Sequence, residues 1–165
     1  MPKNTSILHA HAVIGYNYFM TGSENMGIVR EEIKLRNAGD VTNARRGIIE
    51  ESEIRETTVT AVVDTGAETL VINEAIREEL GLEIAGDYQA WLANGEDHLY
   101  SMSESVEVQC KNRRMSCEAI IIPTAKEILL GAIPLQAMDL IVHPSKHELI
   151  GAHGDRPMGR VYGRI

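Results

Sequence analysis

Aromatic residues are scarce, at 4% of the chain, so the core has to be built mainly from aliphatic side chains. Cysteine is scarcer: Cys110 and Cys117 flank Lys111 to Ser116 and could face each other across a hairpin. Two free thiols in a reducing compartment are nevertheless the expected state. Without neighbouring histidines the pair does not make a zinc site. Positive charge is also in deficit, 16 Lys and Arg against 24 Asp and Glu giving a net charge of -8. That balance argues against nucleic acid, whose phosphates require a basic surface. No apolar run reaches the length of a membrane span. The stretch from Ile7 to Met20 is interrupted by histidines, Asn17 and tyrosines and does not read as a signal peptide. A cytoplasmic protein is expected. Internal repeats, a Gly-rich phosphate cradle and a Ser-His-Asp pattern are all missing.

What is present fits one soluble domain: 165 residues, 44% hydrophobic and 24% charged, enough for a substantial core. Residues 1–25 lack a clear period, and Met26-Gly27 reads like a second start. An N-terminal extension that the core does not need is expected there. His9 and His11 could chelate a metal, but a solvated extension is the simpler reading. The main domain is expected over 26–150. Residues 151–165, with Gly151, Gly154, Gly159, Gly163, Arg156, Arg160 and Arg164, form a Gly/Arg-containing tail expected to be mobile, in which Arg160-Val161-Tyr162 could add an edge strand.

The most informative stretch runs from Thr58 to Ile72. Thr58, Thr60 and Val62 alternate with Val59, Ala61 and Val63, the period of a strand rich in β-branched residues. Asp64 sits where the strand stops, Thr65 can hold a turn through its hydroxyl, and Gly66 permits close approaches. Asp-Thr-Gly is also an ordinary turn sequence. Its context adds weight, because a second apolar run, Ile128-Leu129-Leu130, also ends in glycine, Gly131.

Upstream, Arg30 to Lys34 reads as a strand, Asn37-Ala38-Gly39-Asp40 as a turn, and Gly47 to Ile54 as a further approach to the strand at Thr57, the order of a β-meander. A helix follows Asn73, with Glu74 at its start, Ile76 and Leu80 on one face and Gly81 as the stop. Asn94-Gly95 between apolar flanks is a strong hairpin signal, with Trp91 as an anchor of its base. Val106 to Cys110 and Met115 to Ile122 form a second hairpin around Asn112-Arg113-Arg114. Pro134 starts a short helix with Leu135 and Met138 inward, and Leu140 to Ile150 closes the domain as a hairpin. Asp139 follows the late helix and could approach Asp64, but a cap or turn role is the simpler reading. The chemistry of His143, His147 and His153 lacks any ligand spacing.

Val62-Val63-Asp64-Thr65-Gly66-Ala67 early and Leu129-Leu130-Gly131 late resemble the retropepsin-like aspartic proteases, the viral enzymes and their single-domain cellular relatives, over about Met26 to Ile150. The resemblance implies an all-β fold: a closed β-barrel with a flap hairpin and one or two short helices, working as a homodimer. It implies hydrolysis of peptide or protein by two carboxylates that share one proton. One copy of Asp-Thr-Gly is half of such a site, so a second subunit has to bring the other. By resemblance Asp64 is the catalytic carboxylate, Thr65 bonds across the dimer, and Gly66 presents its N–H to the carboxylate. Ala67, Glu68 and Thr69 would line the substrate groove, Ala93, Asn94 and Gly95 would form the flap tip, Leu129 a pocket wall, and Gly131 the turn behind the loop. No metal, cofactor, nucleic acid or membrane is implied. The pattern departs from the viral one after Gly131, where Ala132 and Ile133 replace an arginine that would pair with Glu68. The flap tip also carries one glycine where many viral flaps have several. A dimeric peptide-binding module on the same fold, without turnover, is the alternative.

Overall fold

The structure, a computed structural model, describes residues 27–91, 96–143 and 145–159, with Trp91 as backbone alone. In β1 (Val29–Asn37), Val29, Ile33, Leu35 and Asn37 are buried, and the charged residues between them lie outward or at the margin. A strand that buries one face only takes this pattern, and it settles the segment as strand despite its charges. β1 pairs antiparallel with β2 (Glu56–Val63), Val29 opposite Val63 and Arg36 opposite Glu56.

The segment between them corrects two expectations. Asn37 to Asp40 opens a helix, α1 (Ala38–Arg45), rather than a turn: Asn37 Oδ1 accepts the Asp40 N–H at 3.1 Å as an N-cap. Gly47 to Ile54 forms no strand; Ile48 is exposed, and a short 3-10 turn covers Glu51–Glu53. α1 has no apolar stripe for a sequence to show, since its buried residues are Asp40 and Val41. It is held instead by its cap and by Asp40, which takes Arg55 Nε at 2.7 Å and Nη2 at 2.8 Å.

β3 (Leu70–Ile72) is wholly buried and leads into α2 (Glu74–Glu79), capped by Asn73 Oδ1 on the Ile76 N–H at 3.0 Å. Gly81 ends it at φ 58°, in the left-handed region glycine favours. β4 (Ile84–Trp91) and β5 (Asp97–Cys110) form the expected first hairpin. The 14-residue β5 also serves the second, with β6 (Arg113–Ile121), so the two hairpins read separately share one strand. β7 (Ile128–Leu130), α3 (Ala132–Ala137), β8 (Leu140–His143) and β9 (Glu148–Gly151) complete the order. α3 begins at Ala132, two residues ahead of Pro134, and buries Leu135 and Met138 as expected.

Strands β1-β2-β7-β3-β6-β5 run side by side and β5 returns to β1, closing a six-stranded barrel. β4 lies outside the ring on β5. This is the all-β, closed-barrel architecture that the resemblance implies. Ile33, Leu35, Leu70, Ile72, Leu82 and Leu130 are among the fully buried aliphatics of its core, each contributing about 1.5–3 kcal/mol on removal from water. The cysteines do not face each other: Cys110 lies opposite Arg113 and Cys117 opposite Val106, and both are free thiols. Burial raises both thiols, Cys110 to about 11.

The ring closes over an ion pair. Glu107, almost wholly buried, takes Arg36 Nε at 2.9 Å and Nη2 at 2.8 Å across the β1–β5 seam, and Gln109 adds a third donor at 2.9 Å. Burial alone would raise the Glu107 carboxyl, but Gln109 and Arg36 outweigh it and hold it below the ordinary value. A depressed folded-state value stabilises above the unfolded-state value, and that stability is lost as pH falls through the folded one. Glu107→Gln should therefore cost about 3 kcal/mol in urea unfolding at pH 7, because it leaves the half-buried Arg36 with only the exposed Glu51, at 3.3 Å, as a counter-charge. The difference from wild type should shrink below about pH 4.

Past β9, residues 152–159 make hydrogen bonds to the barrel. Arg113 Nη1 donates to the Asp139 carbonyl at 2.6 Å and Nη2 to the Gly154 carbonyl. Asp139 takes His153 at 2.7 Å and the Met158 N–H at 3.1 Å, and Asn112 reaches the Asp155 carbonyl at 2.6 Å. Arg160 to Tyr162 lie outside the described residues.

Candidate active site

β2 and β7 are parallel neighbours, with Val63 opposite Leu130, so the chain leaves the sheet twice at one point. Asp64 follows Val63 and Gly131 follows Leu130. The Asp64 N–H donates to the Leu130 carbonyl at 3.1 Å, which ties the acidic residue to the neighbouring strand. The Ala67 N–H donates to the Asp64 carbonyl at 3.1 Å and closes the turn, and the Gly66 N–H donates to Asp64 Oδ1 at 2.9 Å. Asp64 is only 8% exposed. Its Oδ2 is buried and has no hydrogen-bond partner among the described residues. An orphaned carboxylate oxygen in a protein interior is costly, and such groups concentrate where something else is to bind.

Gly131 makes the crossing possible. A Cβ there would lie 2.7 Å from the Ala67 carbonyl oxygen and 2.8 Å from the Thr69 nitrogen, both backbone atoms. Just beyond it the Ala132 N–H reaches the Ala67 carbonyl at 2.8 Å, and the Ile133 N–H reaches that of Glu68 at 2.9 Å. The start of α3 therefore anchors the loop from below.

Thr65 and Gly66 are exposed at the outer turn of the loop. Ala67 and Leu129 are buried together with Val62, Val71 and Ile120 in a second apolar cluster, against which Ile28, Tyr88, Tyr100, Met102 and Ile122 pack half-buried. This cluster joins the loop to the β4–β5 hairpin. Thr69 is buried, and its hydroxyl donates to the Glu118 carbonyl at 3.1 Å. Glu68 is exposed, and its Oε2 takes the Tyr88 hydroxyl at 2.7 Å. Burial, then the Glu68 hydrogen bond, pushes the Tyr88 phenol up to about 12, so it stays a donor at any working pH. Ala93, Asn94 and Gly95 lie outside the described residues.

A model of one protein family matches residues 49–137, more than half of the chain, from the approach to β2 through the whole of the loop to α3. The chain belongs to the gag-polyprotein putative aspartyl protease family. This family is retropepsin-like, as the Asp-Thr-Gly and Leu-Leu-Gly runs imply. No curated protein matches the chain. Within the family segment lie Asp64, the whole β4–β5 hairpin and Gly131, whereas β1 and the β8–β9 hairpin fall outside it.

Two features of this loop escape a sequence reading. Tyr88 carries no motif; only its place on the inner face of β4, opposite Tyr100, brings it to Glu68. The Leu130 carbonyl is a backbone acceptor and has no sequence signature. Asp139 is engaged elsewhere, its Oδ1 by His153 at 2.7 Å and its Oδ2 by the Met158 N–H at 3.1 Å. Among the described residues no cluster of three His, Cys, Asp or Glu side chains could hold a metal ion, and no helix is long and apolar enough to cross a membrane.

Proposed function

We propose that the protein is a homodimeric aspartic endopeptidase whose two Asp64 side chains, one from each subunit, activate a water for attack on a peptide carbonyl. The buried, unpartnered Oδ2 of Asp64 carries this reading. A two-fold axis beside Thr65 and Gly66, both exposed, would bring that oxygen to its counterpart, and two carboxyl groups so close share one proton. The ionised member takes a proton from water as the oxygen attacks the carbonyl carbon. Its protonated partner donates to the carbonyl oxygen, and collapse delivers a proton to the leaving amine. Gly66 keeps Asp64 Oδ1 oriented, and Thr65 bonds across the axis. Glu68, exposed beside the buried Ala67, Thr69 and Leu129, faces the groove. Metal and cofactor have no part in these steps. The activity resides in residues 26–150, and the two unpaired cysteines support a cytoplasmic setting.

Digestion of a peptide library between about pH 4 and 7 tests this. Cleavage that a pepstatin-type inhibitor blocks, in the full chain and in a chain starting at Met26 alike, is the expected result. Peptide binding by a dimer that cleaves nothing would select the silent binding module, which the loss of the arginine after Gly131 favours.

A further inference from the structure

Glu68 is a charged group without an answering charge. Its carbonyl is fixed by the Ile133 N–H at 2.9 Å, and its Oε2 is fixed by Tyr88 at 2.7 Å. The backbone of Glu68 is thus held from α3, and its carboxylate from β4. No Lys, Arg or His among the described residues forms an ion pair with it, and Ala132 and Ile133, whose segment packs on its backbone, are uncharged. From Glu78 to Cys110, a span that contains the whole β4–β5 hairpin, the chain has 8 acidic residues and no Lys or Arg. The one basic side chain in that span is His98, stacked on Tyr100 at 6.0 Å. An independent observation points to a ligand in the same loop: the orphaned Oδ2 of Asp64. The wall beside it is apolar, made by Tyr88, Tyr100, Met102 and Leu129.

We propose that Glu68 is the specificity-determining carboxylate of this groove and selects peptides that carry a Lys or Arg side chain next to apolar residues. The proposal rests on the peptide-binding reading above and names its substrate class. A carboxylate fixed on one oxygen, in a protein of net charge -8, gains most from a cation that arrives with the ligand, because the hydrogen bond is charge-assisted. The field of the acidic hairpin favours the same ligand at longer range. Tyr88 is a positioning residue: its hydroxyl holds Oε2 and leaves Oε1 for the incoming ammonium or guanidinium.

The test uses matched peptides with one apolar core and a single Lys, Gln or Glu beside it. Binding is read by fluorescence anisotropy on the Asp64→Asn dimer, and cleavage on wild type. The Lys peptide should be preferred over the Gln peptide by about tenfold at low salt, and less so when salt screens the pair. Glu68→Gln should bring that ratio to about one, Glu68→Arg should turn the preference towards the Glu peptide, and Tyr88→Phe should reduce the ratio about threefold. Equal use of the three peptides by wild type, or a Lys preference intact in Glu68→Gln, would overturn the proposal. Preferential binding without cleavage would support it while removing the proteolytic reading; cleavage without preference would do the reverse.

Discussion

Asp64→Asn should leave barrel and dimer intact and lower kcat by at least about 10³-fold. The amide has nearly the volume of the carboxyl and can still accept the Gly66 N–H, so the turn closed by Ala67 survives. What it loses is any ability to take or hold the shared proton. Replacing two facing carboxyl groups by neutral amides also relieves the repulsion between them, so the melting temperature should not fall. Steady-state kinetics on the best library peptide, with sedimentation and thermal unfolding alongside, give all three readouts. Hydrolysis at the wild-type rate would end the mechanism, and a large drop in stability would mean that Asp64 serves the fold instead.

Gly131→Ala should be the most damaging small substitution outside the acid itself. Its φ is an ordinary -86°, so the difficulty is space and not torsion. The added methyl would press on the Ala67 and Thr69 backbone, which the bonds to Ala132 and Ile133 prevent from retreating. Overpacking against immobile atoms costs about 3 kcal/mol, a large part of a small domain's stability. The same push moves the loop that holds Asp64, so activity should fall further than stability explains. Urea unfolding against Gly86→Ala provides the control: Gly86 has nothing within 4 Å of an added Cβ, and its loss should stay within about 0.5 kcal/mol. Equal effects at the two glycines would show that the crossing at Gly131 tolerates a side chain.

How much of this was legible in the sequence depends on the kind of signal each part leaves. Alternation and β-branching marked β2, and a capping Asn with a stopping Gly marked α2, because these devices are local. α1 left no trace, since its cap also reads as a turn and its tertiary hold is the Asp40–Arg55 pair, 15 residues apart. The two hairpins of β5 were each visible, but their continuity was not, because Ser103 to Ser105 interrupt the pattern with a register shift. Asp64 was singled out by its motif. Its bond to the Leu130 carbonyl and the Tyr88–Glu68 contact depend on which strands the fold makes neighbours, and no spacing along the chain encodes that.

Mixing wild type with Asp64→Asn at constant total protein tests the shared site most directly. If one acid from each subunit is required, random exchange at equal amounts leaves about one quarter of the wild-type activity, since three dimers in four carry an inert subunit. An activity of about one half would mean that each subunit works alone, and the paired-acid site would be wrong.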